Sequence, residues 1–109
     1  LYLADRASDM ILTGGANIYP AEIEAALDEH PMVESSAVIG LPDDDLGNVA
    51  HAIVQADPAE VSVELLRAHL AERLVRYKIP RTFEFCDTPL RDDAGKVRRS
   101  ALRAARLAT

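Results

Sequence analysis

The chain has 109 residues, enough for one domain with its own core. Its 49% hydrophobic content is ordinary for a globular protein, and 12 Lys and Arg against 18 Asp and Glu leave a net charge of -6. That balance argues against nonspecific partners such as nucleic acid or an anionic membrane surface. No apolar run is long enough for a membrane span, and no signal-peptide pattern opens the chain. A single cysteine, Cys86, excludes an intrachain disulfide and suits a reducing, cytoplasmic setting. Its strand-like surroundings make it core filler rather than a nucleophile. The start at Leu1-Tyr2-Leu3, without an initiator methionine, leads us to expect a piece of a longer chain.

Residues 1–4 are short, apolar and strand-like, and residues 10–13 form a second extended run. Between them Asp5-Arg6-Ala7-Ser8-Asp9 is polar and suits a turn or linker. Gly14-Gly15-Ala16-Asn17 is expected to be a loop, because glycine and asparagine accept backbone angles that other residues resist. Pro20 suits a first helical position, and Glu22 and Glu24 follow where negative charge favours the helix dipole. Their spacing puts them on different helix faces, so they do not read as a catalytic carboxylate pair. Ile23, Ala26 and Leu27 share one face, and the helix should stop near His30-Pro31.

Residues 33–41 read as a strand, Pro42-Asp43-Asp44-Asp45 with Gly47 as a solvated turn, and residues 49–56 as another strand. Residues 59–76 read as a long helix with Val63, Leu66, Leu70 and Leu74 in its core stripe and Ser62 as a candidate N-cap. Ile79-Pro80 interrupts the pattern, residues 82–86 form a short strand, residues 90–96 a polar loop, and residues 98–107 a last helix. The order ββαββαβα lacks the regular alternation of a doubly wound sheet. It predicts a compact α+β domain, a small mixed sheet with packed helices. There is no internal repeat and no low-complexity segment. The basic run Lys96, Arg98, Arg99, Arg103 and Arg106 reads as a solvated helix face. His30, His51 and His69 are scattered without metal-ligand spacing. Nothing resembles a phosphate-binding glycine loop ending in Lys-Ser or Lys-Thr.

Two segments carry more than structure. One is Asp5-Arg6-Ala7-Ser8-Asp9-Met10-Ile11-Leu12-Thr13-Gly14-Gly15-Ala16-Asn17-Ile18-Tyr19-Pro20-Ala21-Glu22-Ile23-Glu24. The other is Thr88-Pro89-Leu90-Arg91-Asp92-Asp93-Ala94-Gly95-Lys96-Val97-Arg98-Arg99. Together they resemble the small, mobile C-terminal domain of AMP-forming acyl-CoA synthetases, in the adenylate-forming superfamily. The resemblance runs over nearly the whole chain and keeps the order of the family's blocks.

The resemblance implies a division of roles. Residues 1–9 would be the hinge segment, residues 10–109 the C-terminal domain, and the large N-terminal domain would be absent. Lys96 would be the catalytic lysine of adenylation. Acid and ATP are both anions, and charge builds on the α-phosphate, so a mobile ammonium touching both would stabilise the transition state. Gly95 beside it would let the backbone pass close to a partner surface. Gly14 and Gly15 would line the passage for the pantetheine arm of CoA, Arg6 would lie near the nucleotide, and Ser8 would be the hinge, small enough to absorb a dihedral change. ATP and CoA would be substrates of the intact enzyme, with Mg2+ held by the N-terminal domain and none of them bound by this piece alone. Partners would be that domain, CoA, a carboxylic acid, and a lysine acetyltransferase acting on Lys96. Alternative acceptors or roles are a carrier-protein thiol and a non-catalytic interaction module. The stretch from Ser35 to Gly47 is similar to that of ligases of fatty, steroid or bile-type acids. Two departures stand out. Five residues separate Pro89 from Gly95 where the family commonly has four, and Ser8 stands where Lys or Asp is usual.

Overall fold

The computed structural model describes residues 10–107. The expected strand and hinge of residues 1–9, with Arg6 and Ser8, lie outside them. Strands β1 (Ile11–Thr13) and β2 (Ala16–Ile18) pair antiparallel, Ile11 opposite Ile18 and Thr13 opposite Ala16. Gly14 and Gly15 make the turn at φ 55° and 87°. A two-residue hairpin turn of this kind needs left-handed angles at both positions, which side chains resist. The loop expected over residues 14–17 is therefore only these two glycines, and Ala16 and Asn17 belong to β2. The Gly14 N–H donates to the Leu46 carbonyl at 3.0 Å, tying this turn to the next hairpin.

Helix α1 (Pro20–Asp28) starts at its proline and buries Ile23, Ala26 and Leu27 as its spacing predicts. Strands β3 (Ser35–Asp43) and β4 (Gly47–Gln55) form a nine-residue antiparallel hairpin. The turn was expected from Pro42, yet β3 continues through it. Val38, also even-numbered, points its N–H away from β4 and toward Glu24, so Pro42 falls where no ladder donor is needed. The Asp43 carboxylate then accepts from the N–H groups of Asp45 and Leu46 and closes the hairpin.

Helix α2 (Val63–Ala71) is shorter than the expected 59–76. Asp57 accepts from Ala59 N–H and holds a separate turn there, and the Ser62 hydroxyl caps the helix by accepting from Leu65 N–H at 3.2 Å. A single 3-10 turn (Arg76–Lys78) leads to β5 (Thr82–Cys86), which joins β4 in parallel. The sheet is thus mixed, in the order β2-β1-β4-β3 with β5 also on β4.

Side-chain alternation gives the sheet two covered faces. Val38, Ala52 and Val54 join Ile23, Leu27, Leu66 and Leu70 beneath α1 and α2. Ala37, Ile39 and Ile53 point the other way and are also buried. On that side lies α3 (Arg99–Leu107), which packs on β3 and has no fully buried residue of its own. Its arginines dock it instead. Arg103 Nε donates to the Gly40 carbonyl at 2.7 Å, and Arg106 makes two bonds of 2.9 and 2.6 Å to Glu84. The basic run is therefore not a solvated face, because three of its arginines turn inward to carbonyl and carboxylate partners. Cys86 is half-buried at the end of β5 and donates to the Thr88 carbonyl, so it stands outside the core it was expected to fill.

Candidate functional site

Lys96 sits on a short hairpin between β5 and α3, closed by a bridge between Arg91 and Val97. Asp92 organises it. Its backbone N–H donates to the Lys96 carbonyl, its carbonyl accepts from Gly95 N–H, and its carboxylate accepts from Ala94 and Lys96 N–H groups at 3.0 and 2.9 Å. These N–H donors, Lys96 first, hold the Asp92 carboxyl below its usual pKa, with Arg98 and Lys96 adding positive charge. Gly95 takes φ 79°, an angle that suits glycine at the turn of such a loop. Residues 92–96 are all exposed, and the Lys96 ammonium makes no hydrogen bond or ion pair among the described residues. Asp92 and Asp93, which add negative charge to the loop, thus do not neutralise the lysine by direct pairing. Asp92 is used by the backbone.

The hairpin is fastened to the domain by a residue read in the sequence only as a dipole partner. Glu24 of α1 is 1% exposed. One carboxylate oxygen accepts from Arg91 at 3.2 Å and from Arg99 at 2.6 Å, the other from Arg99 Nε at 2.9 Å and from Val38 N–H at 2.8 Å. Glu24 therefore covers the open edge of β3 and draws in both feet of the Lys96 loop. The sequence carried a signal for this: Glu24 lies four residues after Pro20 and three before Leu27, inside the apolar stripe. Arg99, Arg103 and Arg106 likewise recur at helical spacing on one face of α3. Glu22, by contrast, is exposed and pairs with Lys78 at 2.9 Å, whose pKa it raises chiefly through that hydrogen bond.

Gly14 and Gly15 lie elsewhere. Gly14 borders a groove of about 1120 Å³ with Thr13, Leu46, Tyr77, Arg76 and Arg81 around it. A Cβ on Gly14 would come within 3.0 Å of Leu46 Cδ2, whereas one on Gly15 would meet nothing within 4 Å. Tyr77 is 52% exposed, and the side chains of Arg76 and Arg81 have no partner among the described residues. Arg67 is engaged, donating to the Pro80 and Arg81 carbonyls and lying over the Phe83 ring. Of the residues around this groove, the sequence pattern marks only Gly14 as a functional candidate.

The two glycines and Lys96 are not brought together. The β1–β2 hairpin forms one end of the strand path and β3, which carries the Lys96 loop on its outer edge, forms the other. The histidines have local partners. His51 is buried against Thr82 and Glu84, His69 contacts the Ala26 carbonyl at 2.6 Å, and His30 packs edge-on to His69. Among the described residues no helix is long and apolar enough to cross a membrane.

This architecture has known counterparts. The long-chain-fatty-acid–CoA ligase FadD13 of Mycobacterium tuberculosis is 45% identical over 109 residues, covering 100% of this chain and 22% of that protein. The 2-succinylbenzoate–CoA ligase of Bacillus licheniformis is 45% identical over 102 residues, covering 94% of this chain and 21% of that protein. Among solved structures, a Mycobacterium tuberculosis fatty acyl CoA synthetase superposes with a TM-score of 0.90 at 44% identity, over 98% of this chain and 21% of that one. The chain thus spans about a fifth of the length of the relatives it matches. The profile of the AMP-binding enzyme C-terminal domain matches residues 22–96, from the first turns of α1 through the exposed lysine of the hairpin, and the chain belongs to that family.

Proposed function

We propose that this chain is the C-terminal domain of an AMP-forming acid–CoA ligase, which converts a carboxylic acid, ATP and CoA to acyl-CoA, AMP and pyrophosphate through an acyl-adenylate. The observation that carries the reading is Lys96. It projects from an exposed, internally bonded hairpin, and its ammonium is unpaired among the described residues. A lysine so presented is available to a surface outside the domain, where the acid and the α-phosphate would meet. There its charge would offset the repulsion of two anions and stabilise the developing oxyanion charge. Gly95 allows close approach of the loop. Arg6 and Ser8 retain their proposed places near the nucleotide and at the hinge, and Mg2+ belongs with the triphosphate on the other domain. The domain division at residues 9 and 10 and a cytoplasmic setting complete the reading.

The second half-reaction would use the other end of the sheet. Gly14 and Gly15 offer bare main chain beside a groove whose rim carries Arg76, Arg81 and the exposed ring of Tyr77. A phosphorylated, aromatic thiol carrier such as CoA matches that rim, with cations for phosphate and a ring face for stacking. Among the described residues that line the groove beside Gly14, none is a carboxylate or histidine that could serve as a base for the thiol. The adenylate is already activated, so positioning is the contribution required.

The test is Lys96→Ala in the parent ligase. Adenylation, followed by ATP–pyrophosphate exchange, is expected to fall on the order of 10²- to 10³-fold, the cost of removing one oxyanion-stabilising group. Thioester formation from supplied acyl-adenylate is expected to persist. Equal loss in both halves would sink the assignment. An acetyltransferase acting on Lys96 would reproduce the same split, because acetylation removes the charge.

A further inference from the structure

Lys96 is exposed and unpaired among the described residues, yet an ammonium at the end of four rotatable bonds is useful only if its backbone is held in place. The loop has two sets of bonds. Those made by Asp92 are internal and fix its shape, not its orientation on the domain. Orientation depends on what the loop touches outside itself. Leu90 N–H reaches the Ser35 hydroxyl at 3.2 Å, before the hairpin begins. Arg91 does more: its guanidinium spans two places at once, donating from Nη1 to the Gly95 carbonyl at 3.1 Å and from Nη2 to Glu24 Oε1 at 3.2 Å. The carbonyl it grips belongs to the peptide that carries the Lys96 nitrogen. Glu24 is in turn immobilised by burial, by Arg99 and by Val38 N–H.

We infer that Arg91, braced by Glu24, is a positioning residue for Lys96 in adenylation. The inference rests on the adenylation role proposed for Lys96 and adds the device that aims it. The forked guanidinium suits this task, since its two nitrogens meet the Gly95 carbonyl and Glu24 at a fixed separation, whereas a lysine ammonium is a point donor on a flexible stem. Arg99 keeps Glu24 paired when Arg91 is changed, so the fold does not depend on Arg91 alone.

Because Glu24 is buried and paired with two arginines, its own substitution is expected to lower stability as well as activity, and Arg91→Lys is the cleaner probe. In the parent ligase, with the acid it turns over best, Arg91→Lys is expected to lower adenylation kcat about 10- to 100-fold, in the range that misplacement of a reacting group by about 1 Å costs. The KM for ATP and the rate of thioester formation from supplied acyl-adenylate should change less than about twofold. The same substitution in a Lys96→Ala background should cost less than about twofold, because a residue that acts through Lys96 has nothing left to aim. An equal loss in both backgrounds, or in both half-reactions, would show a structural role and overturn the inference. If Lys96→Ala impairs adenylation while Arg91→Lys is silent, the positioning role alone falls. If Lys96→Ala leaves adenylation intact, the proposed function falls first and the positioning role with it.

Discussion

Gly95 sets the conformation of the Lys96 loop at φ 79°, and an added Cβ there would meet nothing within 4 Å. Substitution therefore acts through backbone preference and not through a clash. A side chain in the left-handed region costs about 1–2 kcal/mol, with asparagine tolerated better than alanine. Adenylation by the parent ligase should accordingly fall in the order Gly95, Gly95→Asn, Gly95→Ala, with roughly five- to thirtyfold loss at alanine. Equal activity for all three would mean the angle is not what the loop needs. The sequence reading placed glycine here for close approach, and the structure adds the angle as an independent reason. At Gly14 and Gly15 the same two demands coincide, so composition alone could not separate turn geometry from ligand access. Glu24 was missed for a different reason. A glutamate in the first turns of a helix has a sufficient local explanation in the dipole, and its partners, Arg91 and Arg99, are 67 and 75 residues away in sequence.

The elements that sequence periodicity located well are those whose partners are apolar. Helix α1 and the core stripe of α2 fall where spacing put them, because burial of Ile23, Leu27, Leu66 and Leu70 rewards one register only. The start of α2 was misplaced by side-chain capping. Asp57 draws residues 59–60 into a separate turn, and Ser62 starts the helix. Ser62→Ala should lower unfolding free energy by about 1 kcal/mol, measured by denaturant titration, the usual cost of losing such a cap. Helix α3 was located correctly but assigned the wrong surface, since a basic stripe looks solvated until a carboxylate is found beneath it. That carboxylate, Glu84, is held below its ordinary pKa of 4.5, first by hydrogen bonds from Arg106 and then by His51, against an opposing effect of burial. A depressed folded-state pKa gives stability that is fully present above the unfolded value and is lost as pH falls through the folded one. Hydrogen-exchange protection of residues 99–107 should therefore persist to below 4.5 and fade under more acid conditions. Arg106→Gln should move that loss upward, toward the ordinary carboxylate range. An acid profile unchanged by Arg106→Gln would show that this pair does not dock the helix.

At the scale of the whole domain, the separation of the two candidate surfaces follows from the strand order. Five strands place β1–β2 at one end and β3 at the other, with α1 and α3 joined across the β3 edge by Glu24. With a lysine loop at one edge and a glycine turn at the other, the domain would have to turn to present both to the one reaction centre proposed for them. Motif order along the chain could not reveal that distance, because it depends on the β1–β4 and β3–β4 pairings between residues far apart in sequence. The physical consequence is a pair of reciprocal phenotypes. Gly15→Ala leaves the groove wall unobstructed inside the domain, since nothing lies within 4 Å of the new Cβ, but it strains the turn at φ 87° and adds a methyl group to the exposed main chain. In the parent ligase it should slow thioester formation from supplied acyl-adenylate by roughly tenfold, as expected for imperfect positioning of the thiol, and leave ATP–pyrophosphate exchange within about twofold. Lys96→Ala should do the reverse. Combining the two should give each half-reaction the loss of its own single variant, because the sites lie at opposite ends of the strand path and share no partner among the described residues. Strong coupling between them would mean that both act in one conformation, and the separation of surfaces seen here would then have no bearing on the order of the two steps.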